Sequence, residues 1–172
     1  GTRYCYVWVD GVHFNVRFSD NRLCILVVIG ATEDGKKELI TVASGYRESG
    51  ESWHYVLNDL KRRGLKSPVL AIGDGALGFW SVLPEVFPQC KQQRCWVHKT
   101  ANVLDKMPKG VQCRAKGTLH DIYRALDRES ADKAWSKFIE TFEAKYPDAV
   151  KCLEKDKEHL LTFYDFPAYH WE

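Results

Sequence analysis

The amino-acid sequence predicts an α/β fold: a mixed five-stranded sheet with flanking helices, followed by an all-α segment. Three observations carry this. Three runs rich in Tyr, Trp, Val, Ile and Leu follow one another between residues 4 and 43. The spacing then changes to that of a helix, and a short, wholly apolar run at Val69 to Ile72 follows. After residue 97 the apolar positions recur only at helical intervals.

The elements can be justified in turn. Residues 4 to 9 alternate and read as a strand, and Leu23 to Gly30 and Glu38 to Ala43 are further apolar runs. Glu33-Asp34-Gly35 between the last two is a hairpin signal, so the opening reads as three consecutive strands in antiparallel order. From Glu51, Trp53, Val56, Leu57 and Leu60 share one helical face, and Gly64 closes that helix. Val69 to Ile72 has the character of a strand buried on both sides. A second helix follows Asp74, with Trp80, Leu83 and Phe87 on one side and Pro88 as its stop. Gln89 to Val97 alternates weakly and carries Lys91 and Arg94, which suits a fifth strand at the sheet edge. Leu119, Ile122, Tyr123 and Leu126 then form one apolar stripe, and Ala131, Trp135, Phe138 and Phe142 a second. Pro147 begins a third helix that ends in Leu160, Leu161 and Phe163, and Lys106 to Gly117 reads as a linker.

This order of elements is that of a ribonuclease H-like fold, in which strands one and four are central neighbours. Two aspartates sit where that pairing matters: Asp10 in Val7-Trp8-Val9-Asp10-Gly11, and Asp74 in Ile72-Gly73-Asp74-Gly75. Either alone is ordinary turn chemistry. Together, at the ends of neighbouring strands, they suggest a shared divalent cation, because carboxylates brought that close are costly unless paired or metal-bound. Hard oxygen ligands suit Mg²⁺ or Mn²⁺. With one further acid, such a pair can hold two ions about 3.5 to 4 Å apart for phosphoryl transfer.

At 172 residues the chain fits one folded body with a sizeable core. No stretch approaches the roughly 18 apolar residues of a membrane span, and no signal-peptide pattern opens the chain, so a soluble intracellular protein is expected. Beginning at Gly1 and stopping at Trp171-Glu172, it reads as an excised fragment. Six cysteines (Cys5, Cys24, Cys90, Cys95, Cys113, Cys152) are too few for a disulfide scaffold of this size. The formal net charge of +2 hides an asymmetry: residues 89 to 118 are net +6 and the remainder net −4. Lys91, Arg94, Lys99, Lys106, Lys109, Arg114 and Lys116 supply the basic segment. It suits a polyanion such as DNA, and the competing reading is a solvated helix face.

Arg94-Cys95-Trp96-Val97-His98-Lys99 is the more specific signal. Cys95 and His98 are half of a zinc site that Cys90, Cys113 or His120 would have to complete, or else a buried Cys and a hydrogen-bonded His that fix the following helix.

Taken with Ile29-Gly30-Ala31-Thr32-Glu33-Asp34-Gly35, Asp74-Gly75-Ala76 and Phe163-Tyr164-Asp165-Phe166-Pro167-Ala168, these motifs closely resemble the Mutator-type transposases of bacterial insertion sequences, along essentially the whole chain. The resemblance implies a DDE transposase catalytic domain. Its core would span residues 1–108, and residues 109–172 would be a helical insertion before the last acid. Asp10 and Asp74 match the first two catalytic acids and metal ligands. Cys95 and His98 match a Cys-x-x-His pair that supports the active site. His13 matches no catalytic position. Tyr169 stands where the family commonly has Glu, and the third acid is expected beyond residue 172, which would leave these residues alone inactive. DNA, at transposon ends and targets, is the implied partner, with a homodimer or higher oligomer in the full-length protein and a cytoplasmic, nucleoid-associated location. The competing readings are an inactive or domesticated fragment that binds DNA, and a plain ribonuclease H-like nuclease.

Overall fold

The computed structural model describes residues 3–14, 23–45 and 49–171, without the side chain of Leu23. Glu172 lies outside the described residues. By its contacts the chain separates into two compact units, Gly1–Gln93 and Arg94–Glu172.

The first unit is built on a five-stranded sheet. Its elements are β1 (Tyr4–Phe14), β2 (Leu23–Thr32), β3 (Lys37–Gly45), α1 (Gly50–Arg62), β4 (Leu70–Gly73), α2 (Phe79–Val86) and β5 (Lys91–Arg94), with strand order β3-β2-β1-β4-β5. β1 pairs antiparallel with β2, β2 antiparallel with β3, and β1 parallel with β4. This is the ribonuclease H-like arrangement, a mixed sheet with strands one and four side by side.

Local chemistry explains the element boundaries. Gly35 turns the β2–β3 hairpin at φ 82°, a left-handed conformation open to glycine. Ser49 caps α1 by accepting from the Ser52 amide at 3.2 Å. Trp53, Val56, Leu57 and Leu60 are the buried stripe of that helix. They meet Val7 and Val9 of β1, Cys24, Leu26 and Val28 of β2, Ala71 of β4, and Phe79, Val82 and Leu83 of α2 in one core.

β5 is shorter than its alternation suggests. It ends at Arg94, and Trp96 already begins a helix. In place of a strand through Val97, Cys95 is the cap residue and Val97 and His98 are helical.

The second unit is all helical: α3 (Trp96–Leu104), α4 (Lys109–Tyr123), α5 (Arg128–Phe142), α6 (Pro147–Glu154), the single turn α7 (Lys157–Leu160), and 3-10 turns at Thr162–Asp165 and Ala168–His170. Ala115, Leu119 and Ile122 of α4, Ala131, Trp135, Phe138 and Phe142 of α5, and Ala149, Val150 and Leu153 of α6 form its core. Val103 of α3 belongs to that core as well, so α3, placed with residues 1–108 by the sequence, packs with the helices that follow it.

Two expectations are corrected here. Lys106 to Gly117 is not a linker, because α4 begins at Lys109 and continues through both Gly110 and Gly117. Its buried stripe extends that of Leu119 and Ile122 back to Ala115 at i−4, and tertiary packing outweighs the helix penalty of the glycines. Leu126 does not join the stripe: α4 ends at Tyr123, and Leu126 is 91% exposed. Among the described residues no helix is long and apolar enough to cross a membrane.

Candidate active site

The parallel register of β1 on β4 positions the two aspartates. The pairing runs from Tyr6 with Leu70 to Val9 with Gly73 and stops there. Asp10 is the next residue of β1 and Asp74 the first residue after β4. Neighbouring strands lie about 4.8 Å apart, so the main chain brings the two aspartates to the same edge of the sheet, one beside the other. β1 itself does not end at Asp10, as its sequence suggests; it continues to Phe14 against β2, with Asp10 opposite Val27.

What permits the close approach is Gly73. A Cβ there would lie 2.7 Å from Val9 Cγ2 and 2.9 Å from the Val9 carbonyl oxygen. β1 and β4 are therefore packed backbone to backbone immediately before the aspartates.

Each carboxylate is partly held. Asp10 Oδ1 accepts from the Gly11 amide at 2.9 Å, and Asp74 Oδ1 from the Ala76 amide at 3.3 Å. Trp80 Nε1 donates to the main-chain oxygen of Asp74 at 2.6 Å, which ties the Asp74 turn to α2. Asp10 is exposed and Asp74 half-buried. Among the described residues no donor engages Oδ2 of either one. An open pair of carboxylates with spare oxygens fits a hard divalent cation that keeps part of its water shell. Among the described residues no group of three or more His, Cys, Asp and Glu is arranged to hold a metal, so what the site offers is two carboxylates.

Cys95 and His98 belong to the second unit. Cys95 is the N-cap residue of α3 and makes no side-chain cap bond; its carbonyl accepts from the Lys99 amide at 3.0 Å. His98 is half-buried, and its buried Nδ1 finds no hydrogen-bond partner among the described residues. Of the residues considered for completing a metal site, Cys90 is set apart because burial pushes its thiol up to about 12 and so keeps it neutral. Cys113 lies on an exposed face of α4.

The basic segment divides. Arg94 and Lys99 are only 7% exposed. Lys99 Nζ donates to Asp156 Oδ2 at 2.6 Å and to the Cys152 carbonyl at 2.9 Å, and Arg94 Nε lies 3.8 Å from Asp156 Oδ1. Lys91, Lys106, Lys109, Arg114 and Lys116 are exposed. Asp156 thus holds both cations that bracket Cys95 and His98. The sequence hides it within the run Glu154-Lys155-Asp156-Lys157-Glu158, which has the look of a solvated charge cluster.

Comparison with known proteins adds the family. The model of the Mutator family of transposases matches residues 1–172. The chain is 56% identical over 172 residues to the transposase for insertion sequence element IST2 of Acidithiobacillus ferrooxidans, covering 99% of this chain and 56% of that protein. It is 52% identical over 170 residues to the transposase for insertion sequence element IS6120 of Mycolicibacterium smegmatis, covering 99% of this chain and 53% of that protein. It therefore spans about half the length of the curated relatives it matches. Among solved structures, the HTLV-2 integrase catalytic core domain in complex with magnesium aligns at a TM-score of 0.38 and 14% identity, over 70% of this chain and 86% of that one. The fold assignment rests on strand order and pairing instead. With the family model matching from end to end, the chain belongs to the Mutator family of transposases.

Proposed function

We propose that this chain supplies most of the catalytic domain of a DDE-type DNA transposase of an insertion sequence, with Asp10 and Asp74 as catalytic carboxylates and Mg²⁺ or Mn²⁺ ligands. The observation that carries the reading is the β1–β4 register, which stops at Val9–Gly73 and leaves an aspartate as the next residue after each.

A divalent ion held there would supply Lewis-acid activation of phosphate oxygens and neutralise the charge that develops during strand cleavage and transfer. The chain's own contribution is to fix the carboxylates. The close β1–β4 packing at Gly73 sets their separation, and the Ala76 amide and Trp80 indole hold the Asp74 turn. Cys95 and His98, at the start of α3, are supporting residues in this reading. In this reading the catalytic core is residues 1–108 and the helical insertion residues 109–172, with α3 of the core packed against the insertion's helices. DNA is the substrate, and the complete protein works as a dimer or higher oligomer. The family resemblance places the third acid outside these 172 residues, and alone they are expected to bind the ion without cutting DNA.

Isothermal titration with Mn²⁺ tests the core of the reading. Binding by the wild-type chain that is lost in both Asp10→Asn and Asp74→Asn is expected; equal binding by the variants would overturn it. Robust Mg²⁺-dependent nicking by the 172 residues, abolished by Asp74→Ala, would sink the expectation of inactivity.

A further inference from the structure

Helix α4 has an outward face that its own unit does not explain. Ala115, Leu119 and Ile122 point into the core. On the other side Gly110, Cys113 and Gly117, spaced three and four residues apart, line up along the exposed surface. A Cβ added at Gly110 or Gly117 would meet nothing within 4 Å. A glycine inside a helix is destabilising relative to alanine, and among the described residues no packing at Gly110 or Gly117 offsets that.

Cations surround this stripe. Lys106 precedes the helix, Lys109, Lys116 and Arg114 flank the small residues, and Arg124 closes its far end, all exposed. Among the described residues none of these five forms an ion pair with a carboxylate, and Arg114 instead stacks over Phe142 at 5.9 Å. The neighbouring helix is different: Lys133 pairs with Glu129 at 2.7 Å and Arg128 with Asp132 at 3.4 Å. The positive field is felt by His120 on the same helix, whose imidazole is held below its usual range first by burial and then by Arg124 and Lys116.

We propose that the exposed face of α4 is a docking surface for the DNA phosphate backbone, with Gly110, Cys113 and Gly117 forming a shallow floor that lets the backbone approach and Lys106, Lys109, Arg114, Lys116 and Arg124 gripping the phosphates. The inference rests on the DNA-acting reading above and narrows it. Arg94 and Lys99 drop out of the surface because Asp156 holds them inside. Arg124 enters it, although it lies outside the segment that the charge pattern singles out.

The test uses the 172-residue chain and a fluorescein-labelled DNA duplex of arbitrary sequence, followed by anisotropy across a salt series. Lys109→Glu, Lys116→Glu and Arg124→Glu together are expected to weaken binding about tenfold or more and to reduce the salt slope by about one per lost phosphate contact. Gly117→Leu leaves the charge unchanged and favours the helix, yet is expected to weaken binding by filling the floor. DNA is expected to protect Cys113, but not Cys152, from alkylation. Lys133→Glu and Lys137→Glu on α5 serve as controls that keep wild-type binding. If wild type binds the duplex and all α4 variants bind equally, with Cys113 unprotected, the surface is wrong and the DNA reading survives. If wild type shows no salt-dependent binding, both fall.

Discussion

Lys99 and Asp156 form a buried ion pair, Nζ to Oδ2 at 2.6 Å, with side chains only 8% and 14% exposed. The pair joins the first turn of α3 to the segment after α6. The same carboxylate faces Arg94, so its removal leaves two cations in a poorly solvated place. Breaking one side of a buried pair costs about 3 to 5 kcal/mol, most of it from the charge left behind. Asp156→Ala is therefore expected to lower the melting temperature by roughly 10 °C, on the scale of about 2 to 4 °C per kcal/mol for a chain of this size. Lys99→Met should cost less, because the carboxylate keeps Arg94 beside it. Equal losses from the two variants in thermal denaturation would refute this account.

That pair also marks where sequence reading stops. The order of elements along the chain and the position of both aspartates in it were legible, because a strand's two-residue alternation and a helix's stripe are local signals, and Val9-Asp10-Gly11 and Gly73-Asp74-Gly75 carry their own punctuation. Which strands pair was not local, and the neighbouring of strands one and four came from analogy with the ribonuclease H-like arrangement. β5 and α3 were not separated, since Trp96 to His98 has no alternation that distinguishes a strand end from a first helical turn, and Cys95 offers no side-chain cap. α4 was hidden by Gly110 and Gly117, which read as breakers until the core contacts of Ala115 and Leu119 are seen. Asp156 was invisible because a buried carboxylate in a run of charges differs from its neighbours only in what packs over it.

The two aspartates should matter for ligand and not for folding. Asp10 is exposed, and Asp74 keeps its turn through an oxygen that asparagine retains. Asp10→Asn and Asp74→Asn are expected to change stability by no more than about 0.5 kcal/mol. Mn²⁺ should raise the melting temperature of the wild-type chain by binding only the folded state, and this rise should vanish in both variants. A rise that persists in either would place the ion elsewhere.

Gly73 is expected to be intolerant. A methyl group at this position meets the Val9 carbonyl oxygen at 2.9 Å, and main chain cannot rotate away as a side chain can. Gly73→Ala should destabilise by about 1 to 3 kcal/mol, the range for overpacking, and should weaken Mn²⁺ binding because β1 and β4 are forced apart beside Asp10 and Asp74. Gly35→Asn, in an open turn at φ 82°, is the contrasting case and should be mild. Urea denaturation of the two variants checks the difference.

Tyr164 gives the fold a pH dependence of known sign. Its hydroxyl lies 2.7 Å from the Ile122 carbonyl oxygen and 3.1 Å from that of Ala125, and donates its one proton to these acceptors at the end of α4. Burial, and then the charge of Asp127, push the phenol from 10.0 up to about 12. The folded state thus favours the protonated phenol, so the stabilisation is fully present below pH 10 and is lost as the pH rises towards 12. Tyr164→Phe should cost about 0.5 to 1.5 kcal/mol at neutral pH, the net worth of a hydrogen bond. The gap between wild type and variant should close between pH 10 and pH 12, because an ionised phenolate can no longer donate to the two carbonyls. Melting temperatures of both proteins from neutral pH upwards decide the matter, and a gap that stays constant through that window would mean the hydroxyl does not hold the end of α4.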